Sequence, residues 1–207
     1  MRRRLVPALL ALAVAAALGA ATLARAEDGH HGDRNRTEQK TASSSSTTSS
    51  SASSSSSDNS VCGEDVTWLQ TSISGDRFEI DGGKLALTKT HNPKVIELAQ
   101  TLIKDHTQSL QSAIELAAKL GIDVPSEPTP SMQWELEEVG ELSGTAFDHD
   151  YSELEVQDHI QDIQETTDEV KMGCNDEVRD EASKDIPMLQ YHLQLAQEAL
   201  ASAANES

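Results

Sequence analysis

Three histidines in the second half of the sequence occupy positions that the surrounding pattern reserves for apolar side chains. His106 interrupts a helical stripe between Leu102 and Leu110, and His159 and His192 interrupt two later stripes in the same way. A side chain on the apolar face of a helix points toward the core. An imidazole there either hydrogen-bonds to other buried groups or binds a metal ion, so these positions are the candidates for chemistry.

Glu79 is a fourth polar residue at the same level. Glu79 and His106 lie 13 and 14 residues from Asn92, in the predicted turn between their helices, so an antiparallel helix pair places them side by side. Gly75 and Gly83 lie one turn before and one turn after Glu79 on the same helix face. Glycine is costly inside a helix, so this pair indicates either close backbone approach or space for a bound group.

Imidazole nitrogen and carboxylate oxygen from facing helices can enclose an iron, manganese, zinc or copper ion, and helical bundles build metal sites in this way. The candidate inner ligands are Glu79, His106, His159 and His192, with Asp105 and Asp158 as further ligands or as groups that orient the imidazoles. The alternative is a hydrogen-bonded network of the same side chains that fixes helix register without an ion. The absence of the Glu-x-x-His pairs typical of di-iron bundles favours the network.

Four long segments with apolar residues at helical spacing position these side chains. The spacing predicts helices over residues 65–90, 93–120, 146–171 and 177–203, the last one kinked at Pro187. A short helix over 133–142 follows a proline-rich connector, residues 122–130, which is expected to be non-helical. Leu87, Tyr151 and Tyr191 are expected in or near the core. With no strand signal, the predicted fold is an all-α, ferritin-like four-helix bundle.

The two cysteines constrain how the helices connect. Cys62 opens the first helix and Cys174 lies between the third and fourth. In a simple up-down bundle the two would be about 40 Å apart, whereas a disulfide needs Cα atoms within about 7 Å. A crossover between the second and third helices brings them to the same end, so we predict that crossover and a Cys62–Cys174 bond. Two separate thiols or an intermolecular bond are the alternatives.

The N-terminal residues predict export. Residues 1–26 have the arginines, apolar run and small-x-small ending of a secretory signal peptide, with a retained membrane anchor as the alternative. Residues 27–60 are rich in Ser and Thr and are predicted to form a disordered linker. Residues 61–207 then form one domain. The protein is expected in the periplasm, in the cell envelope or outside the cell, where an even pair of cysteines is oxidised.

The domain is strongly acidic, above all in its second half. Residues 62–120 carry 6 Lys or Arg and 8 Asp or Glu, whereas residues 121–207 carry 3 and 22. Nucleic acids and anionic membrane surfaces have the same sign of charge, which argues against either as a partner. A metal cation is a compatible partner. A repulsive surface that only keeps an exported protein soluble explains the charge equally simply.

Several short blocks within residues 66–200 recur in one family. They are Glu79 with Gly83-Lys84-Leu85-Ala86-Leu87, Asn92-Pro93, Lys104-Asp105-His106-Thr107, Leu142-Ser143-Gly144 with Phe147-Asp148 and Tyr151, Asp158-His159, and Ile186-Pro187 with His192-Leu193. In these blocks the chain resembles a bacterial exported family known as domain of unknown function 4142, often labelled predicted outer membrane protein. The resemblance implies a ferritin-like helical bundle and implies no established activity.

Two functions follow as expectations. The first is a non-catalytic structural or stress-related binding protein of the envelope or the extracellular space. The alternative is a bundle that binds or oxidises a transition metal ion through its Glu/His layer. The sequence contains no Gly-x-Ser-x-Gly motif, phosphate loop or Cys-x-x-Cys pair, so no reaction class is predicted.

Overall fold

The structure, a computed structural model, describes residues 59–205, and these residues form five α-helices. The helices are α1 (Gly63–Lys89), α2 (Pro93–Leu120), α3 (Pro130–Gly140), α4 (Thr145–Met172) and α5 (Asp176–Asn205). Residues 59–205 contain no strand, so the protein is an all-α bundle. None of the described helices is long and apolar enough to cross a membrane. The predicted signal peptide, and all but the last two residues of the predicted linker, lie outside the described residues.

The long helices begin and end within two residues of the predicted bounds. The short helix differs more, because α3 begins at Pro130, a residue that the sequence pattern assigns to the non-helical connector. That prediction is wrong because the first position of a helix needs no N–H donor, so proline is favoured there. The Thr129 side chain accepts a hydrogen bond from the Met132 amide at 3.3 Å and caps this start.

The apolar core is divided into two clusters. α1 packs on α2 and α4, and α5 packs on the same two helices. One cluster contains Trp68, Leu69, Ile73, Ala113, Ala117, Val178 and Ala182. The other contains Ala86, Val95, Leu98, Ala99, Leu102, Phe147, Tyr151, Val156, Leu195, Ala196 and Ala199. Asp76 and Glu79 of α1, His106 of α2 and His192 of α5 are buried, and along their helices they fall between these two groups, so a polar layer crosses the middle of the bundle.

Two of the apolar predictions fail for a geometric reason. Leu87 is 40% exposed. Ala86 follows Glu79 by seven residues, which is almost two helical turns, so Ala86 shares the buried face of Glu79 and Leu87 lies about 100° around the helix from it. Tyr191 is 49% exposed, because it lies about 100° around the helix from the buried His192. Tyr151 is fully buried, as predicted.

One end of the bundle is closed by the predicted disulfide. Cys62 and Cys174 are bonded, with their Cα atoms 5.8 Å apart. The buried Asp65 carboxylate strengthens the junction, since it accepts backbone hydrogen bonds from Cys62 (2.7 Å), Cys174 (2.9 Å) and Asn175 (3.1 Å). The start of α1 and the turn between α4 and α5 are therefore fixed to each other.

The connector between α2 and α4 runs along α1. Near the disulfide end, the Gln70 side chain donates to the Asp123 carbonyl oxygen at 2.9 Å. Arg77 then donates to the Pro125 carbonyl oxygen at 3.1 Å. At the far end, Lys89 donates to the carbonyl oxygens of Gly140 and Leu142. The connector therefore runs along α1 from one end of the bundle to the other, and α4 then runs back toward the disulfide.

The two glycines that flank Glu79 have different surroundings. A Cβ atom added at Gly83 would lie 2.8 Å from Ile103 Cγ1 and 2.9 Å from the Ala99 carbonyl oxygen, so α1 and α2 make close contact there. A Cβ atom added at the buried Gly75 would meet no atom within 4 Å. Gly83 therefore serves close helix packing, and Gly75 leaves space beside Asp76 and Glu79.

We expect Gly83→Ala to lower the free energy of unfolding by about 1–3 kcal/mol, because the added methyl group overlaps the backbone of α2. Gly75→Ala is the matched control. It fills open space and improves helix propensity, so it should leave stability unchanged or raise it by up to about 1 kcal/mol. Urea denaturation followed by circular dichroism measures both changes, and equal effects of the two substitutions would contradict the assigned packing.

Removing the disulfide should destabilise the domain by about 2–4 kcal/mol, because the bond restricts a long loop in the unfolded chain. The test compares the Cys62→Ser/Cys174→Ser variant with wild type by urea denaturation. A reductant should shift the wild-type curve toward that of the variant and leave the variant itself unchanged. A wild-type curve that the reductant does not move would contradict this expectation.

Candidate metal centre

Three helices each contribute one buried histidine to a common point. His106 from α2, His159 from α4 and His192 from α5 are at most 2% exposed. The ring centroids are 5.0 Å apart for His106 and His192, 5.4 Å for His159 and His192, and 6.0 Å for His106 and His159. One ring nitrogen of each lies within 4.8 Å of the others. The structure therefore brings together the three histidines that the sequence singles out.

One nitrogen of each ring is held by an oxygen atom. His106 Nδ1 lies 2.8 Å from Asp76 Oδ1, His159 Nδ1 lies 2.8 Å from the Glu155 carbonyl oxygen, and His192 Nε2 lies 3.2 Å from Asp105 Oδ2. The Glu155 carbonyl oxygen and the ionised Asp105 carboxylate only accept, so they fix the ring proton on His159 Nδ1 and His192 Nε2, and an ionised Asp76 does the same at His106 Nδ1. Asp105, predicted as a ligand or an orienting group, thus contacts the ring of His192.

The other nitrogen of each ring has no hydrogen-bond partner among residues 59–205. These atoms are His106 Nε2, His159 Nε2 and His192 Nδ1, and all three are buried. Buried polar atoms are almost always hydrogen-bonded, so three unpaired nitrogens on three neighbouring rings are exceptional. When the opposite nitrogen carries the ring proton, each of these atoms presents a lone pair.

The imidazoles are neutral at physiological pH. Burial lowers the pKa of His106 to about 4. Burial and the neighbouring His106 and His192 rings lower the pKa of His159 to about 4, and burial and His106 do the same for the pKa of His192. A metal ligand must be a neutral imidazole, so no proton has to be removed from the rings before an ion binds.

A second group of buried residues adjoins His159. Glu79 Oε1 and Glu155 Oε2 lie 3.9 Å and 3.8 Å from His159 Nδ1, and both glutamates are fully buried. Burial and the neighbouring Glu155 and Asp158 carboxylates raise the pKa of Glu79 well above its usual value. Burial and Asp158 raise the pKa of Glu155 to about 8. The sequence predicts one inner shell of Glu79 with three histidines, whereas the structure places Glu79 in this adjoining group.

Asp158, predicted as a ligand or an orienting group, makes neither kind of contact with the histidines. Its Oδ2 atom is buried without a hydrogen-bond partner among residues 59–205. The residue also lines an open surface pocket beside Glu135 and Gln161. Asp158 therefore lies between that pocket and the carboxylates of Glu79 and Glu155.

The sequence analysis does not single out four acidic residues of the layer. Each of them nevertheless lies three, four or seven residues from Glu79, His159 or His192 on the same helix. They are Asp76, Glu155, Asp162 and Asp185. Asp76 precedes Glu79 by three residues, Glu155 precedes His159 by four and Asp162 follows it by three, and Asp185 precedes His192 by seven. Residues at these spacings share one helix face. The signal is present in the sequence, but charged residues are so frequent in α4 and α5 that spacing alone does not distinguish buried ones.

A small acidic cavity lies beside His106. Its volume is about 30 Å³, room for about one or two water molecules. Asp76, Asp162 and Asp185 line it, and it adjoins a wider surface groove that Asp105 and Glu181 border. Burial raises the pKa of Asp76 and Asp162 well above the usual value. Burial, Asp76 and Glu181 raise the pKa of Asp185 to about 7.

Comparisons with known proteins identify a family and a similar fold. The family model described as a domain of unknown function (DUF4142) matches residues 49–199. The crystal structure of a DUF305 fragment from Deinococcus radiodurans is similar, with a TM-score of 0.61 at 12% sequence identity. That similarity covers 69% of this chain and 98% of the fragment, and at this identity it shows the fold alone. No curated protein sequence matches the chain significantly.

Asp185→Asn should stabilise the metal-free protein increasingly as pH rises. The folded carboxyl has a pKa of about 7, above the ordinary value of 3.8 that applies in the unfolded chain. Between these values the native state keeps a proton that the unfolded state releases, so wild-type stability falls as pH rises through this range. Urea denaturation in EDTA should show the gap between variant and wild type widening from about pH 4.5 to about pH 7.5. The exposed Asp180→Asn control should show no such widening, and a constant gap for Asp185→Asn would contradict the expectation.

Proposed function

Because the chain belongs to the DUF4142 family, whose description names no activity, we propose a function from its own buried residues: the domain binds a divalent transition metal ion. His106, His159 and His192 are the ligands of this site. The role is binding and retention rather than catalysis.

The three unpaired ring nitrogens are the observation that carries this proposal. An unsatisfied buried acceptor costs about 1–3 kcal/mol, so three of them on neighbouring rings destabilise a protein in which they stay unpaired. One ion at their centre would satisfy all three. The same observation weighs against a purely structural network, because such a network has to satisfy its own members.

The donor set favours zinc or copper within the group of iron, manganese, zinc and copper. Imidazole nitrogen suits zinc, copper and iron, but Zn²⁺ and Cu²⁺ bind a given site more tightly than Fe²⁺, whereas Mn²⁺ prefers carboxylate and water oxygen. Asp76 and Asp105 hold the far nitrogens of His106 and His192, an arrangement common around bound metal ions. Ionised, the two carboxylates would balance the charge of a divalent cation.

The proposed setting is an exported protein of the periplasm, envelope or extracellular space. The Cys62–Cys174 bond supports it, since structural disulfides persist in oxidising compartments. The path of the connector along α1 supports a ferritin-like bundle with a crossover between α2 and α4. The acidic charge supports a metal cation as partner, and not nucleic acid or an anionic membrane surface.

We expect the protein to bind one equivalent of Zn²⁺ or Cu²⁺ and the His106→Ala/His192→Ala variant to bind it at least about 100-fold more weakly. Isothermal titration calorimetry on protein first stripped with EDTA measures both affinities. His91→Ala is the matched control, because His91 is exposed in the turn between α1 and α2, and it should keep the wild-type affinity.

A milder variant distinguishes loss of metal binding from loss of the folded structure. Asp105→Ala removes only the group that orients His192, so it should weaken binding by about 10–100-fold while the circular dichroism spectrum stays the same. Equal affinities of wild type and the double histidine variant, or no binding by the wild type, would overturn the proposal.

A further inference from the structure

Glu79 and Glu155 form a second group of candidate metal-ligand atoms next to the three histidines. Both glutamates are fully buried and their carboxyl groups interact with each other, but none of the four oxygens makes a hydrogen bond of standard geometry among residues 59–205. No Lys or Arg of this described part lies within ion-pair distance of either, and their nearest basic group is the neutral His159 ring.

Tyr151 supplies an independent observation at the same place. Its side chain is fully buried, and its hydroxyl group, which interacts with the Glu155 carboxyl, makes no hydrogen bond of standard geometry in the described part of the chain. A Cβ atom added at Gly82 would lie 3.7 Å from both Tyr151 Cε2 and Glu155 Oε1, so the ring and the carboxylate meet against the same helix backbone. A buried phenol oxygen, like a carboxylate, finds a partner in nearly all proteins.

Two adjacent buried carboxyl groups either keep their protons or, once ionised, need positive charge beside them, because an ionised carboxylate in the protein interior is paired or coordinates a metal. We infer that Glu79 and Glu155 form a second cation site, an oxygen-donor site with Asp158 and Tyr151 at its margin. It takes a hard divalent cation of the Mn²⁺ class, which prefers carboxylate oxygen. The inference goes beyond the proposed function and does not depend on it.

The distances allow such an ion after small side-chain rotations. The contacting atoms of Glu79, Glu155 and His159 lie within 4.8 Å of one another. Two ligands on one ion with bonds of about 2.1 Å are at most about 4.2 Å apart. His159 Nδ1 donates to the Glu155 carbonyl oxygen, so this nitrogen borders the site and does not ligate the ion. The site is therefore distinct from the histidine site, whose ligand on this ring is Nε2.

Asp158 connects this site to the surface. It lines the open pocket between α3 and α4, and its buried Oδ2 atom has no partner among residues 59–205. Glu135 lines the same pocket. A cation attracted to this acidic pocket thus meets Asp158 before it reaches Glu79 and Glu155.

The experiment measures Mn²⁺ binding to the full chain by the loss of the electron paramagnetic resonance signal of free Mn²⁺. The protein is first loaded with one equivalent of Zn²⁺ to fill the histidine site. Wild type should bind one further equivalent of Mn²⁺. Glu79→Gln/Glu155→Gln, which keeps side-chain shape, should bind Mn²⁺ at least about 100-fold more weakly and keep its Zn²⁺ affinity within a few-fold.

Two controls locate the bound ion. Glu137→Gln/Glu138→Gln removes two exposed carboxylates of α3 and should leave Mn²⁺ binding at the wild-type level. His106→Ala/His192→Ala should retain Mn²⁺ binding even though it loses Zn²⁺, so the two sites fail independently. The inference is overturned if wild type binds no Mn²⁺, or if the Glu79→Gln/Glu155→Gln variant binds it as tightly as wild type.

Discussion

The constraint on which the rest of the structure depends is the burial of ionisable groups without a basic partner. Three imidazoles and the carboxylates of Glu79 and Glu155 lie between two apolar clusters, so the hydrophobic core is interrupted at its centre. Removing one ionised carboxylate from water costs several kcal/mol. In the metal-free protein the raised pKa values of both glutamates keep protons on them. Among residues 59–205 no Lys or Arg lies within ion-pair distance of these two glutamates.

The ends of the bundle compensate for this weakness. At one end, the disulfide and the Asp65 carboxylate join the start of α1 to the turn between α4 and α5. At the other, the Asn92 side chain donates to Ser202 at 3.0 Å and thereby links the start of α2 to the end of α5. None of these contacts involves the central layer. The helices therefore hold the layer in place without help from the layer itself, which is the preorganisation that a selective site would require.

Helical spacing predicts the long helices and the convergence of His106, His159 and His192, because a histidine on an apolar stripe has to face the core. It does not predict that Asp76 holds His106, since that contact joins two helices whose rotation about their axes depends on packing. The close contact at Gly83 is one determinant of that rotation. The prediction for Leu87 fails for the same reason, since small rotations decide which of two neighbouring positions is buried. Sequence periodicity therefore does not predict which side chains of neighbouring helices contact each other.

His159 decides how the two donor sets relate to each other. Its Nδ1–H donates to the Glu155 carbonyl oxygen within α4, so the ring cannot bridge two ions without breaking that bond. The glutamates therefore influence the histidine site through the electric field alone. A cation among the imidazoles favours the ionised form of Glu79 and Glu155. When Glu79 and Glu155 lose their protons, they become negatively charged. A second cation bound between these two carboxylates would neutralise that charge.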